Sequence, residues 1–100
     1  MNQPIIPNYR ACGGIHPPPS GPPPVQPVPP NIPTIPTMCM HIGKWTYFWL
    51  KDGVSGWGYV KLTGIHIDPN NNQQIPAVWG CNSIGEDFAI PLSIIDNFTT

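Results

Sequence analysis

In 100 residues the chain carries sixteen prolines, ten glycines and only nine charges, for a net charge of −1. That length holds one small domain at most. Four cations (Arg10, Lys44, Lys51 and Lys61) give no basic excess to neutralise phosphates, so nucleic acid is excluded as the expected partner.

No apolar run approaches the ~20 residues of a bilayer span. Met1–Pro7 lacks the charged and apolar regions of a secretory signal, so export is expected by another route or by lysis of the parent cell. Surface charge keeps proteins soluble and apart. A chain with so little of it, and four tryptophans, reads as a subunit built for an assembly.

Thirteen of the sixteen prolines lie in residues 1–37, whereas eight of the nine charges and nine of the ten aromatics lie in 38–100. Composition therefore divides the chain near Thr37 into an arm and a domain. The arm opens with an apolar tip, Met1 to His16, containing Ile5, Ile6, Tyr9, Cys12 and Gly13-Gly14. Ile5, Ile6 and Tyr9 are the residues expected to dock, by adding to a neighbour's sheet edge; the alternative is a disordered tail.

From Pro17 to Pro36 the sequence PPPSGPPPVQPVPPNIPTIP fixes φ and removes donors at every second or third position. This excludes helix and central strand and predicts polyproline II, with a reach of roughly 60 Å. Gly13, Gly14 and Gly21 keep no three-residue period, which excludes collagen.

Residues 38–100 read as all-β. Trp45, Tyr47 and Trp49 alternate with Thr46, Phe48 and Leu50, so both faces of the first strand are apolar and it is expected to be covered on both sides. Asp52-Gly53 marks a hairpin turn. The return strand sets Trp57, Tyr59 and Lys61 on one face and Val60 and Leu62 on the other, and Gly56, Gly58 and Gly64 predict bulges or bends. Asp68–Gln74 is a polar loop, Ala77–Cys81 a third strand and Asn82–Gly85 a turn. Asp87–Leu92 is a strand that runs into one helical turn at Ser93–Asp96, with a short last strand around Asn97–Thr99. No amphipathic helix of useful length is predicted. The expected architecture is a small SH3-like barrel or a strongly bent antiparallel sheet, preceded by an extended proline-rich arm.

Three cysteines, Cys12, Cys39 and Cys81, are the candidate cross-linking residues. An odd count suits one internal bridge plus a thiol for a partner. A 39–81 bridge would contribute roughly 4 kcal/mol through loop closure and leave Cys12 to reach a neighbouring subunit. Cys12 could instead pair with Cys39 or Cys81 of another copy, or all three could stay reduced.

Cys39-Met40-His41 with Cys81 and His66 offers soft ligands, but the spacings of known zinc sites are absent, so no metal or cofactor is assigned. His41 and His66 read as ordinary strand residues. The four serines stand in no nucleophile motif, and Glu86 and Asp87, being adjacent, point to opposite faces of a strand; an enzyme is not expected. Asn97-Phe98-Thr99 matches a glycosylation sequon.

The aromatic set Trp45, Tyr47, Trp49, Trp57 and Tyr59 is either the core of a tiny domain or an exposed groove. Aromatic grooves hold polyproline II ligands in SH3 and WW domains. The chain thus carries both halves of one interaction, and a neighbour's arm on this face would make a head-to-tail contact that propagates as a filament.

Three segments, Tyr47–Gly53, Gly56–Tyr59 and Phe88–Phe98, resemble a group of small proteins of spore-forming bacteria. Those proteins join a Pro/Gly-rich tail to an aromatic β domain with the patterns YxWLxNG, GxRW and FGIDLxxIxSF. The resemblance spans residues 39–98; GxRW is missing, and Ala77–Cys81 stands in its place. It implies a non-enzymatic protein of the spore or cell surface and carries over no site residues.

Two functions follow as expectations. In the first, the chain is a structural subunit that self-assembles at an extracellular or spore surface, its arm docked on or cross-linked to the next copy as a homo-oligomer or polymer. In the second, it is an SH3-like module holding a polyproline peptide or a glycan on its aromatic face.

Overall fold

The computed structural model describes residues 12–100. Ile5, Ile6 and Tyr9 lie outside the described residues. The elements in chain order are α1 (Ile35–Cys39), β1 (Trp45–Leu50), β2 (Ser55–Ile67), β3 (Gln74–Asn82), β4 (Asp87–Pro91), a single 3-10 turn (Leu92–Ile94) and β5 (Ile95–Thr99). All five strands form one antiparallel sheet in the order β4-β3-β2-β1-β5.

Consecutive hairpins lay down β1 to β4. The 3-10 turn then carries the chain from one edge to the other, where β5 pairs with β1. Since β4 and β5 do not pair, the sheet stays open: of the two expected architectures, the bent sheet is the one formed. Among the described residues, no helix is long and apolar enough to cross a membrane.

The hairpin turns follow their sequence signals. Gly53 takes a left-handed φ of 91° while the Asp52 carboxylate accepts from Val54 N–H at 2.9 Å. Asn82 closes the β3–β4 turn by accepting from the backbone of Ile84 and Glu86.

The expected glycine bulges fall elsewhere. The register of β2 against β3 slips between Val60 and Leu62, at Lys61. Gly58 is needed for a different reason: a Cβ there would meet the Phe88 ring at 2.8 Å. Gly80 faces Val60 across the ladder, and a Cβ on it would strike the Tyr59 carbonyl. These two glycines let Phe88 of the edge strand lie flat over the middle of the sheet.

The core sits on the inner face. Phe48, Val60, Val78 and Phe98 point into it from four strands, with Leu92 and Ile95 from the segment that crosses beneath. Phe48 pairs directly with Phe98.

Met38, at 0 % exposure, enters this core from α1. That helix corrects the reading of residues up to Pro36 as purely extended, and the turn after it the reading of His41 as a strand residue. Thr34 accepts from Thr37 N–H, and the Thr37 hydroxyl accepts from Thr34 N–H, a reciprocal cap. Pro36 falls in the first turn, where a missing N–H costs nothing. The helix straddles the compositional boundary at Thr37, and Cys39 ends it.

Candidate functional site

Strand register assembles the outer face. Trp45 of β1 lies opposite Tyr59 of β2, Tyr59 opposite Cys81 of β3, and Cys81 opposite Asp87 of β4. Tyr47 and Trp57 form the next pair, and Trp49 lies opposite Asn97 of β5. All five residues of the expected aromatic face therefore share one side of the sheet. They meet edge to face, Trp45 with Tyr59 at 5.4 Å, Tyr47 with Trp57 at 5.2 Å and Tyr47 with Trp49 at 4.9 Å. Trp45 and Tyr47 are buried, and Trp49, Trp57 and Tyr59 are half-buried. The set packs mainly on itself, and Trp45 and Tyr59 are the members that a second segment touches.

That segment is the arm of the same chain. Cys12 is joined to Cys81 by a disulfide with Cα atoms 5.7 Å apart. Trp45 Nε1 donates to the carbonyl of His16 at 3.0 Å, and the His16 ring stands edge-on to Tyr59. Farther along, Asn97 clamps the arm: its Oδ1 accepts from Asn31 N–H and its Nδ2 donates to the Pro27 carbonyl, both at 2.9 Å. Asn31 Nδ2 donates in turn to the Phe98 carbonyl at 2.7 Å.

Between these fastenings burial keeps a period of three. Cys12, Ile15, Pro18, Pro24, Pro27 and Pro33 are half-buried, while the other residues from 13 to 34 are exposed. Three residues per turn is the repeat of polyproline II, and the half-buried residues keep that register with two interruptions, Gly21 and Pro30, which share it and are exposed; Gly21, at a φ of 96°, also departs from polyproline geometry. Val25 and Val28, on another edge, are 90 % and 92 % exposed.

The disulfide differs from the internal bridge considered from sequence. Cys81 pairs with Cys12 rather than Cys39, because the arm folds back and brings residue 12 to the end of β3. Cys39 is a free, exposed thiol. The four ligands considered together, Cys39, His41, Cys81 and His66, are not gathered at one site. His41 lies in the turn after α1, and His66 is on β2 with its ring edge-on to Trp79 at 6.5 Å.

His41 Nδ1 lies 3.0 Å from the buried Thr46 hydroxyl, and its ring meets Phe98. Burial, and then the nearby Lys44 charge, lower its pKa below the usual histidine value of 6.5. The sequon asparagine is fully buried with both amide atoms engaged in the arm clamp, which corrects any reading of Asn97 as an open glycan acceptor.

Asp87 completes the arm-tip anchor. Its Oδ1 lies 3.4 Å from Cys12 Sγ, a contact in which the bridged sulfur has no proton to donate. No docking signal marked Asn31 and Asn97 in the sequence: the sequon match at Asn97 does not bear on the arm, and prolines and valines occupy every edge of the arm alike. Neither family models, nor curated proteins, nor solved structures give a match to this chain.

Proposed function

We propose that the chain is a structural subunit that assembles at an extracellular or spore surface by exchanging its proline-rich arm between copies. The observation that carries this reading is the seat itself. The outer face holds the arm through a disulfide at one end, an asparagine clamp at the other and a matched edge of prolines between them.

A seat that accepts the arm of its own chain accepts the identical arm of a neighbour with the same contacts, which is the low-cost route of domain swapping. Ile32-Pro33 is the natural hinge. It separates the Asn31 clamp from the capped helix α1, whose Met38 stays in the core when the arm leaves. In the exchanged state Cys12 of one copy bonds Cys81 of the next, and each subunit both gives and receives an arm. Exposed Cys39 then remains for a second covalent link. A bridge of this kind persists in oxidising surroundings, which favours a site outside the reducing cytoplasm.

The test is electrophoresis with and without reductant, combined with light scattering and electron microscopy of the same sample. A ladder of covalent oligomers that collapses on reduction, and is absent in Cys12→Ser, is expected. A monomer under every condition overturns the proposal.

One observation favours a second reading, a module for polyproline ligands. The Trp45 indole donates to a carbonyl directly before Pro17, the contact an aromatic groove uses on a proline-rich peptide. The arm is then an internal ligand. A fluorescently labelled peptide of residues 12–31, added to the reduced full chain, should displace it and bind with a rise in anisotropy; no binding at saturating protein would remove this reading.

A further inference from the structure

We infer that the arm-tip anchor is also a redox-gated site for a zinc-class divalent cation, formed by Cys12, Cys81 and Asp87 when the disulfide is reduced. The two sulfurs and a carboxylate oxygen of Asp87 all lie within 4.8 Å of one another. Two of the three ligands are fixed by the sheet, because Cys81 and Asp87 are directly opposed in the β3–β4 ladder. The third arrives with the arm: the Cys12 sulfur, bonded to Cys81, also stands 3.4 Å from Asp87 Oδ1.

The chemistry suits the set. Thiolates with a carboxylate bind zinc, at Zn–S distances of ~2.3 Å, and two thiolates on a tetrahedral ion stand roughly 3.8 Å apart. Opening the bridge allows that spacing from Cα atoms 5.7 Å apart by side-chain rotation alone. Three protein ligands leave one position, which water takes from the adjoining cleft of about 140 Å³, lined also by His16 and Trp45.

The exchange balances. A dithiol reductant gives two electrons and two protons to the bridge, becoming a disulfide itself and leaving two thiols. The cation then displaces both thiol protons to solvent as it binds. The arm tip is thereby fastened to β3 in either redox state, by a covalent bond under oxidation and by a metal under reduction. This inference needs only the anchor in a single chain and does not depend on assembly.

The experiment uses the full-length chain carrying Cys39→Ser, so that Cys12 and Cys81 are its only thiols, reduced with a phosphine. The phosphine takes oxygen from water to become its oxide, and the two protons go to the sulfurs. Cobalt(II) is then titrated in. One equivalent should raise a thiolate-to-cobalt charge-transfer band with the visible bands of a tetrahedral ion, and one equivalent of zinc should abolish both.

Adding Asp87→Asn, which keeps both thiols, should weaken cobalt binding at least about tenfold. Circular dichroism of that variant before metal is added checks that its sheet is intact. Absence of the charge-transfer band in the reduced chain overturns the site. So does unchanged cobalt affinity in the Asp87→Asn chain with an intact sheet. Either result leaves the oligomer ladder of the oxidised protein as a separate question.

Discussion

The two faces of the sheet are closed by different means. The inner face is closed by apolar side chains from β1, β2, β3 and β5, sealed by Met38, with contacts that are short-ranged and without direction. The outer face is closed by a remote segment, through separate bonds that can each be named: one disulfide, one indole–carbonyl hydrogen bond and one asparagine clamp. Burial of the first kind is lost all at once when the domain unfolds. Fastenings of the second kind are separate from the apolar core, and the proposed arm exchange requires that they release while it persists.

Changes on each face test that separation. The largest effect is expected from the bridge. Cys12→Ser removes closure of a loop with a sequence separation of 69, worth about 4 kcal/mol in loop-closure entropy, and urea denaturation should show the loss. Met38→Ala comes next, at about 3 kcal/mol for a large-to-small change in the core, read in the same way. The two should differ in what precedes unfolding: limited proteolysis cuts the arm of Cys12→Ser while far-UV dichroism is retained, and Met38→Ala shows no such stage.

Asn97→Ala leaves the Asn31 N–H and the Pro27 carbonyl without their partner. It should cost about 2 kcal/mol and expose the segment around Pro27 to protease, with the disulfide still formed. If it unfolds the sheet outright, the two faces are not separable.

Trp45→Phe keeps a smaller aromatic ring and removes the donor to the His16 carbonyl. A loss of about 1 kcal/mol is expected by chemical denaturation. The smallest effect is His41. Its folded pKa lies below 6.5, so the folded state holds fewer protons than the unfolded one. Stability from this group is full above pH 6.5 and declines as pH falls from there through the folded pKa. His41→Gln should flatten that part of the stability–pH curve, as measured by thermal melts across the range.

Much of the inner architecture was legible in the residues. The alternation of Trp45 to Leu50 predicts β1 with both faces covered and Asp52-Gly53 its hairpin, while the helical turn expected at Ser93–Asp96 falls earlier, at Leu92–Ile94, and β5 already begins at Ile95. These signals are local, set by period and by turn chemistry.

The arm's destination was not legible, because it depends on contacts across the whole chain. Pairing of Cys12 with Cys81 requires the arm to fold back, and no spacing encodes that. Helix α1 was hidden by the prolines around it, although Thr34 and Thr37 with Pro36 between them carry a capping signal. Asn97 stood in a sequon match of a kind common by chance, which discloses nothing of its burial.

The half-buried edge of the arm has a consequence for how its length can vary. Each residue of a polyproline II helix turns the next by roughly 120°. Deleting one residue between Gly21 and Pro24 would therefore bring Val25 and Val28 to the half-buried positions of Pro24 and Pro27, and inserting one would bring Pro23 and Gln26 there. A step of three residues restores the register between Gly21, which departs from polyproline geometry at a φ of 96°, and the Asn97 clamp. That stretch of the arm thus acts as a threaded spacer, whose length changes without loss of register in whole turns.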